Sequence, residues 1–176
     1  MAITTKELRT AIGKANLKVF KEAGNVSILL CGTENFRHAH SPQIEAVQIC
    51  VALEEDGELI KVFAPWAYIA EKRQEPVLQI LNEINWKRKL VKASLDPEDG
   101  EVRFELDIPI EESEFDVSQL LRAMAAVQST IDDYHHRIRA ALKEAEINDS
   151  KPTEDKLGRI MESYLRGLTN KANSFN

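Results

Sequence analysis

At 176 residues, 43% of them hydrophobic and 30% charged, the chain has the length and composition of one domain with a packed core. Twenty-nine acidic against 23 basic residues leave a net charge of −6, which disfavours a nucleic-acid backbone as partner. Cys31 and Cys50 lack the Cys-x-x-Cys spacing of a metal or redox site and read as core thiols. No apolar run reaches the ~20 residues of a membrane-spanning helix, and the N-terminus lacks the apolar stretch of a signal peptide, so a cytoplasmic location is expected.

Thr4 and Glu7 have capping-box spacing, which predicts a first helix from about Thr5 to Ala23. Leu8, Ile12, Ala15 and Val19 form its apolar stripe, and Gly24-Asn25 supplies a left-handed stop. Val26 to Cys31 is a short apolar run that fits a buried strand. A second strand follows from Ile44 to Leu53, with both faces fairly apolar. Glu55-Asp56-Gly57 marks a hairpin turn and Leu59 to Ala64 the returning strand, after which Pro65 and Trp66 open an irregular stretch.

Pro76 sits where a second helix begins, with Val77, Ile80, Leu81 and Ile84 as its buried stripe. Leu90 to Leu95, the turn Asp96 to Gly100, and Val102 to Ile108 predict a second hairpin with one wet face. Ser118 is the expected N-cap of a third helix, whose Leu120, Met124, Val127, Ile131, Tyr134, Ile138 and Ala141 give the longest periodic stripe in the chain. A domain boundary is placed after residue 146, where Ile147 to Pro152 reads as a linker. Beyond it Leu157, Ile160, Met161, Tyr164, Leu165 and Leu168 share one face of a tail helix, which packs on its own domain or enters a partner groove. The fold class is α+β: a twisted antiparallel sheet of three strands and then two, covered by helices, with the amphipathic tail added.

Sites for chemistry fail on spacing. No nucleophile elbow exists, the seven glycines are scattered singly, and the paired carboxylates fall at turns. His38 and His40 could clamp a metal if a third ligand such as Glu34 or His135 came near, whereas His135 and His136 point about 100° apart on a helix. Lys87-Arg88-Lys89 beside Trp86 could stack on bases, but cations at a helix C-terminus have a simpler reason to be there. Neither cofactor nor resident metal is expected.

Leu81-Asn82-Glu83-Ile84-Asn85, followed by Lys92-Ala93-Ser94-Leu95-Asp96, the Asp99-Gly100 turn and Val102 to Asp107, resembles the central signature of the YbjN-like family of bacterial sensory-transduction regulators. That family shares the type III secretion chaperone-like fold. The likeness in sequence spans about Val77 to Ile138, and it implies a non-enzymatic, dimeric, protein-binding module. Asn82 and Asn85 are expected to satisfy helix carbonyls or to bond the next strand. The leading expectation is a chaperone-like adaptor or regulator holding a protein partner through a sheet face, a groove or the Leu157–Leu168 tail. A surplus of apolar stripe on the second and third helices and the tail points to a homodimer. The alternative is a small-ligand or metal-sensing regulator that uses the His38/His40 loop.

Overall fold

The computed structural model describes residues 2–37, 45–70, 74–110 and 115–143. Their order is α1 (Thr5–Lys14), β1 (Val19–Ala23), β2 (Val26–Gly32), β3 (Ala46–Glu54), β4 (Leu59–Ile69), α2 (Gln74–Lys87), β5 (Lys92–Leu95), β6 (Glu101–Pro109) and α3 (Val117–Lys143). The fold is α+β, as expected. All strand pairs are antiparallel in one six-stranded open sheet, ordered β1-β2-β3-β4-β6-β5. By its contacts the chain divides into Met1–Ala145 and Glu146–Asn176. The second unit lies outside the described residues, and with it Leu157, Ile160, Met161, Tyr164, Leu165 and Leu168.

One strand stands where a helix was expected. The Thr4 hydroxyl accepts from the Glu7 N–H and the Glu7 carboxylate from the Thr4 N–H, so the capping box starts α1 as predicted. The helix ends at Lys14, well short of Ala23, because Asn16 turns left-handed at φ 55°. Leu17 N–H then reaches back to the Ile12 carbonyl, the six-to-one bond of a Schellman stop. Val19 and Phe20 follow, and β-branched and aromatic side chains favour a strand. Gly24-Asn25, expected to stop that helix, is instead the two-residue turn between Ala23 and Val26, with Gly24 at φ 60°.

Both predicted hairpins form. Glu55, Asp56 and Gly57 all take positive φ between β3 and β4, and a side chain on Gly57 would run into the Ile3 carbonyl. β4 does not end at Ala64: it bulges through Pro65 and Trp66 and resumes pairing at Tyr68 with Val102. Proline is tolerated there because a bulge asks for no ladder bond from it. Asp116, not Ser118, caps α3, accepting the Ser118 N–H at 2.8 Å.

Leu8 and Ile12 of α1, Val77, Leu81 and Ile84 of α2, and Leu120, Val127, Ile131 and Ile138 of α3 meet the inward side chains of β2, β3, β4 and β6 in one core. Register places Val26, Ile28, Cys50, Ala52 and Phe63 on the opposite face, where they are also buried. Farther along that face run the charges Glu101, Arg103, Glu105 and Lys92, with Lys92 paired to Glu105 at 2.6 Å.

Candidate protein-binding surfaces

With the core filled, six large apolar side chains remain exposed among the described residues, and they fall in distinct places. Phe20 (68%) lies at the β1 bulge and Leu30 (48%) on the neighbouring strand β2. Leu78 (47%) and Trp86 (88%) lie on α2, with Leu90 (64%) just past its end and Leu121 near the start of α3. An exposed tryptophan among other apolar groups is a common anchor of protein interfaces.

The α2 group sits on a fixed platform. Both terminal guanidinium nitrogens of Arg137 donate to the Glu83 carboxylate, at 2.6 and 2.9 Å, and Lys87 donates to it at 2.7 Å. These bonds, Arg137's first, pull the Glu83 carboxyl down to about 2. Arg88 pairs with Asp133, and Arg88 and Arg137 both lie over the ring of Tyr134. Helix α2 is thereby tied to α3, and the cations beside Trp86 are partly spent on ion pairs rather than free for phosphate.

The two asparagines of the family signature part company. Asn85 turns toward the sheet, where its side-chain amide donates to the Ala93 carbonyl at 2.9 Å and its oxygen accepts the Ala93 N–H at 2.8 Å. A side chain thus stands in for a further strand beside β5, the edge of the sheet. Asn82 faces outward on the exposed side of α2, between Leu78 and Trp86. Asp99 shapes the β5–β6 turn by accepting the Glu101 N–H, and Gly100, at φ 77°, donates to the Asp96 carbonyl.

At the other edge, among the described residues, β1 pairs with β2 alone, so one side of its backbone has no described strand beside it. Arg9 fastens α1 to this hairpin through Glu22 and the Gly24 carbonyl. Where the chain leaves β2, Asp132 of α3 accepts the backbone N–H groups of Glu34, Asn35 and Phe36. Burial works against the charge on Asp132, but these donors outweigh it and hold its carboxyl below the usual range. Phe36 packs edge-on against Tyr68 and His135, and the Tyr68 hydroxyl lies 3.0 Å from His135 Nδ1. Burial, and then the neighbouring His136, lower the imidazole of His135 to about 4.

His135 and His136 do diverge, the first buried and the second exposed near Asn35. His38 and His40 lie outside the described residues, and among the described residues no cluster of three or more metal-ligating side chains occurs. Burial pushes the Cys50 thiol up to about 12 and raises that of Cys31, which suits core thiols and not nucleophiles. Phe20 and Leu30 were not legible as surface groups, since Phe20 fell within the expected helix and Leu30 within a run read as buried.

A family model named YbjN, described as "Putative bacterial sensory transduction regulator", matches residues 17–140, well over half of the chain. The chain belongs to the YbjN family. The crystal structure of YbjN from E. coli superposes with a TM-score of 0.58 at 16% identity, covering 77% of this chain and 96% of that one. The ExsC–ExsE complex matches with a TM-score of 0.50 at 14% identity, over 77% and 96% of the respective chains. Identities this low carry the fold alone, which is the type III secretion chaperone-like fold that the YbjN signature led us to expect. No curated protein sequence matches the chain. No described helix is long and apolar enough to cross a membrane.

Proposed function

We propose that this YbjN-family chain is a non-enzymatic, cytoplasmic protein-binding module, an adaptor or regulator that acts as a homodimer and receives an extended segment of another protein at its β1 edge. The observation that carries the reading is Phe20, 68% exposed on an edge strand whose outer side has no neighbour among the described residues, with Leu30 close by on β2. An unpaired edge offers main-chain hydrogen bonds to an incoming strand, and exposed apolar side chains beside it select what the strand carries. Lys18 and Lys21 flank Phe20 and are exposed, which favours a segment bearing acidic residues around an apolar one. Support also comes from the fold: the ExsC chain that resembles this one is found in complex with ExsE.

Peptides displayed on phage and selected against the full chain test the reading. Acidic-apolar sequences should be enriched and their retention should fall at least tenfold on Phe20→Asp, while Trp86→Glu leaves it unchanged. Enrichment no better than background, or equal retention by native and Phe20→Asp proteins, would overturn the edge as the binding site.

A further inference from the structure

Past β2 the chain closes on itself in a short strap. The Thr33 hydroxyl donates to the Phe36 carbonyl at 3.1 Å, and one guanidinium nitrogen of Arg37 donates to the carbonyls of Glu34 and Phe36 at 2.9 and 3.0 Å. Residues 33–37 can therefore move together. The start of the strap is pinned to the sheet, since the Thr33 N–H donates to the Glu45 carbonyl at 2.9 Å, and Gln128 of α3 holds the Gly32 carbonyl before it. Farther along, Asp132 accepts the N–H groups of Glu34, Asn35 and Phe36 at 3.2, 2.7 and 2.7 Å, and the Asn35 side-chain amide at 3.3 Å. Phe36 is only 2% exposed, its ring edge-on to those of Tyr68 and His135 at 5.8 and 5.3 Å.

The site beneath Phe36 suits a neutral imidazole and not a charged one. Burial raises the pKa of the Tyr68 hydroxyl, which therefore keeps its proton and can donate it to Nδ1 of a neutral His135 at 3.0 Å. An imidazolium carries a donor on both nitrogens. Tyr68 would then have to turn its proton to the Ile131 carbonyl, 3.5 Å away, too far for a good hydrogen bond. The charged groups facing the ring are Arg37 from the strap and His136, Arg139 and Asp132 from α3, while β4 brings the Tyr68 hydroxyl alone. Among these described groups Asp132 is the one carboxylate, and the N–H groups of the strap already occupy it. We propose that Glu34 to Arg37 form an acid-released strap, docked on α3 while His135 is neutral and let go when the imidazole takes up a proton.

Release lifts Phe36 off the rings of Tyr68 and His135 and admits water to the new cation, while Thr33 stays bonded to Glu45 and the sheet is kept. The strap follows β2, the strand that bears exposed Leu30, so acid changes the surface at that end of the sheet. The inference does not rest on the binding of a segment at β1. In the docked form burial, and then His136 and Arg139, lower the imidazole from 6.5 to about 4. The released form thus binds the proton more readily, so docking is favoured fully above pH 6.5 and loses that advantage as pH falls toward 4. A full return to 6.5 on release would favour opening by about 20-fold at pH 5 relative to pH 7. The Asp132 carboxyl is held below its usual range and stays charged throughout that window, so the imidazole and not the catch is the trigger.

Amide exchange of the full chain, followed by NMR and corrected for the intrinsic rate at each pH, tests the strap. Protection at Asn35 and Phe36 should fall about fivefold or more between pH 7 and pH 5. At pH 5 it should be insensitive to low concentrations of urea, as a local opening is, whereas protection at Val62 and Phe104 in the central strands should fall with urea. His135→Gln, which keeps an acceptor for the Tyr68 hydroxyl, should abolish the pH dependence at the strap. Should that variant not fold, the ring of native His135 decides the matter: its NMR titration must run in step with the loss of protection at Asn35 and Phe36. Strap protection that does not change with pH, strap exchange that follows the central strands in urea, a folded His135→Gln protein with the native pH dependence, or a ring that titrates out of step would each overturn the proposal.

Discussion

The two edges of the sheet solve the same problem in opposite ways. Strand β5 would expose the backbone of Ala93, and Asn85 closes it with one donor and one acceptor from a neighbouring helix. Among the described residues strand β1 exposes its outer side, which is blunted by shortness, a bulge and flanking lysines. Exposed edges invite pairing, so a fold that seals one and merely blunts the other has confined where a strand can add. The closed edge also lies beside α2, whose ion pairs with α3 hold that end of the sheet together, whereas at the other end Arg9 ties α1 to the β1–β2 hairpin and Asn25 ties its turn to Leu53. Ion pairs between helices gather at one end and accessible backbone at the other.

The largest test of this contrast uses one residue type at both ends. Phe104→Ala removes a fully buried ring from β6, where it opposes Ala93, and should cost about 3–5 kcal/mol in urea unfolding. Phe20→Ala removes an exposed ring and should stay within about 0.5 kcal/mol of native. Comparable losses would mean that β1 is as deeply packed as β6, and the contrast would fail.

Next in size is Asn85→Ala. It withdraws two hydrogen bonds from Ala93 and should cost about 1–2 kcal/mol. Amide exchange at Ala93 should accelerate, since its N–H loses the acceptor that Asn85 provides. Unchanged exchange there would show that the edge is closed by some other group.

Much of this arrangement was legible beforehand, and the failures have physical causes. Apolar periodicity exposed both hairpins, α2 and α3 because those elements bury one face against a common core. Asn85 could be read as bonding the next strand because it stands near a helix end only eight residues before Ala93. The strand β1 was hidden because Leu8, Ile12, Ala15 and Val19 continue a helical spacing across a stop set by one left-handed residue, Asn16. Val19 is apolar for a different reason, its position opposite Leu29. The anchoring of residues 34–36 by Asp132 was beyond reach, since nothing local links a carboxylate to backbone donors nearly a hundred positions earlier.

The smallest expected effect separates the two ends by pH. Buried His135, packed against Phe36 in the segment that follows β2, is neutral in the fold with its pKa lowered from 6.5 to about 4. The unfolded chain binds this proton below 6.5 and the folded one only below about 4, so stability from this group is complete above 6.5 and is lost as pH falls between those values. Glu83, which joins α2 to α3, is lowered from 4.5 to about 2, and its contribution is complete above 4.5 and lost as pH falls toward 2. Of these two groups only His135 therefore acts between pH 6.5 and 4.5. His135→Gln keeps a hydrogen-bonding group for the Tyr68 hydroxyl and removes the titration, so the melting temperature at pH 7 should shift little while its decline from pH 6.5 to 4.5 flattens. The decline below 4.5 should persist in that variant and shrink instead in Glu83→Gln. A His135→Gln protein with the native slope above pH 4.5 would show that the segment after β2 is not held by a neutral imidazole.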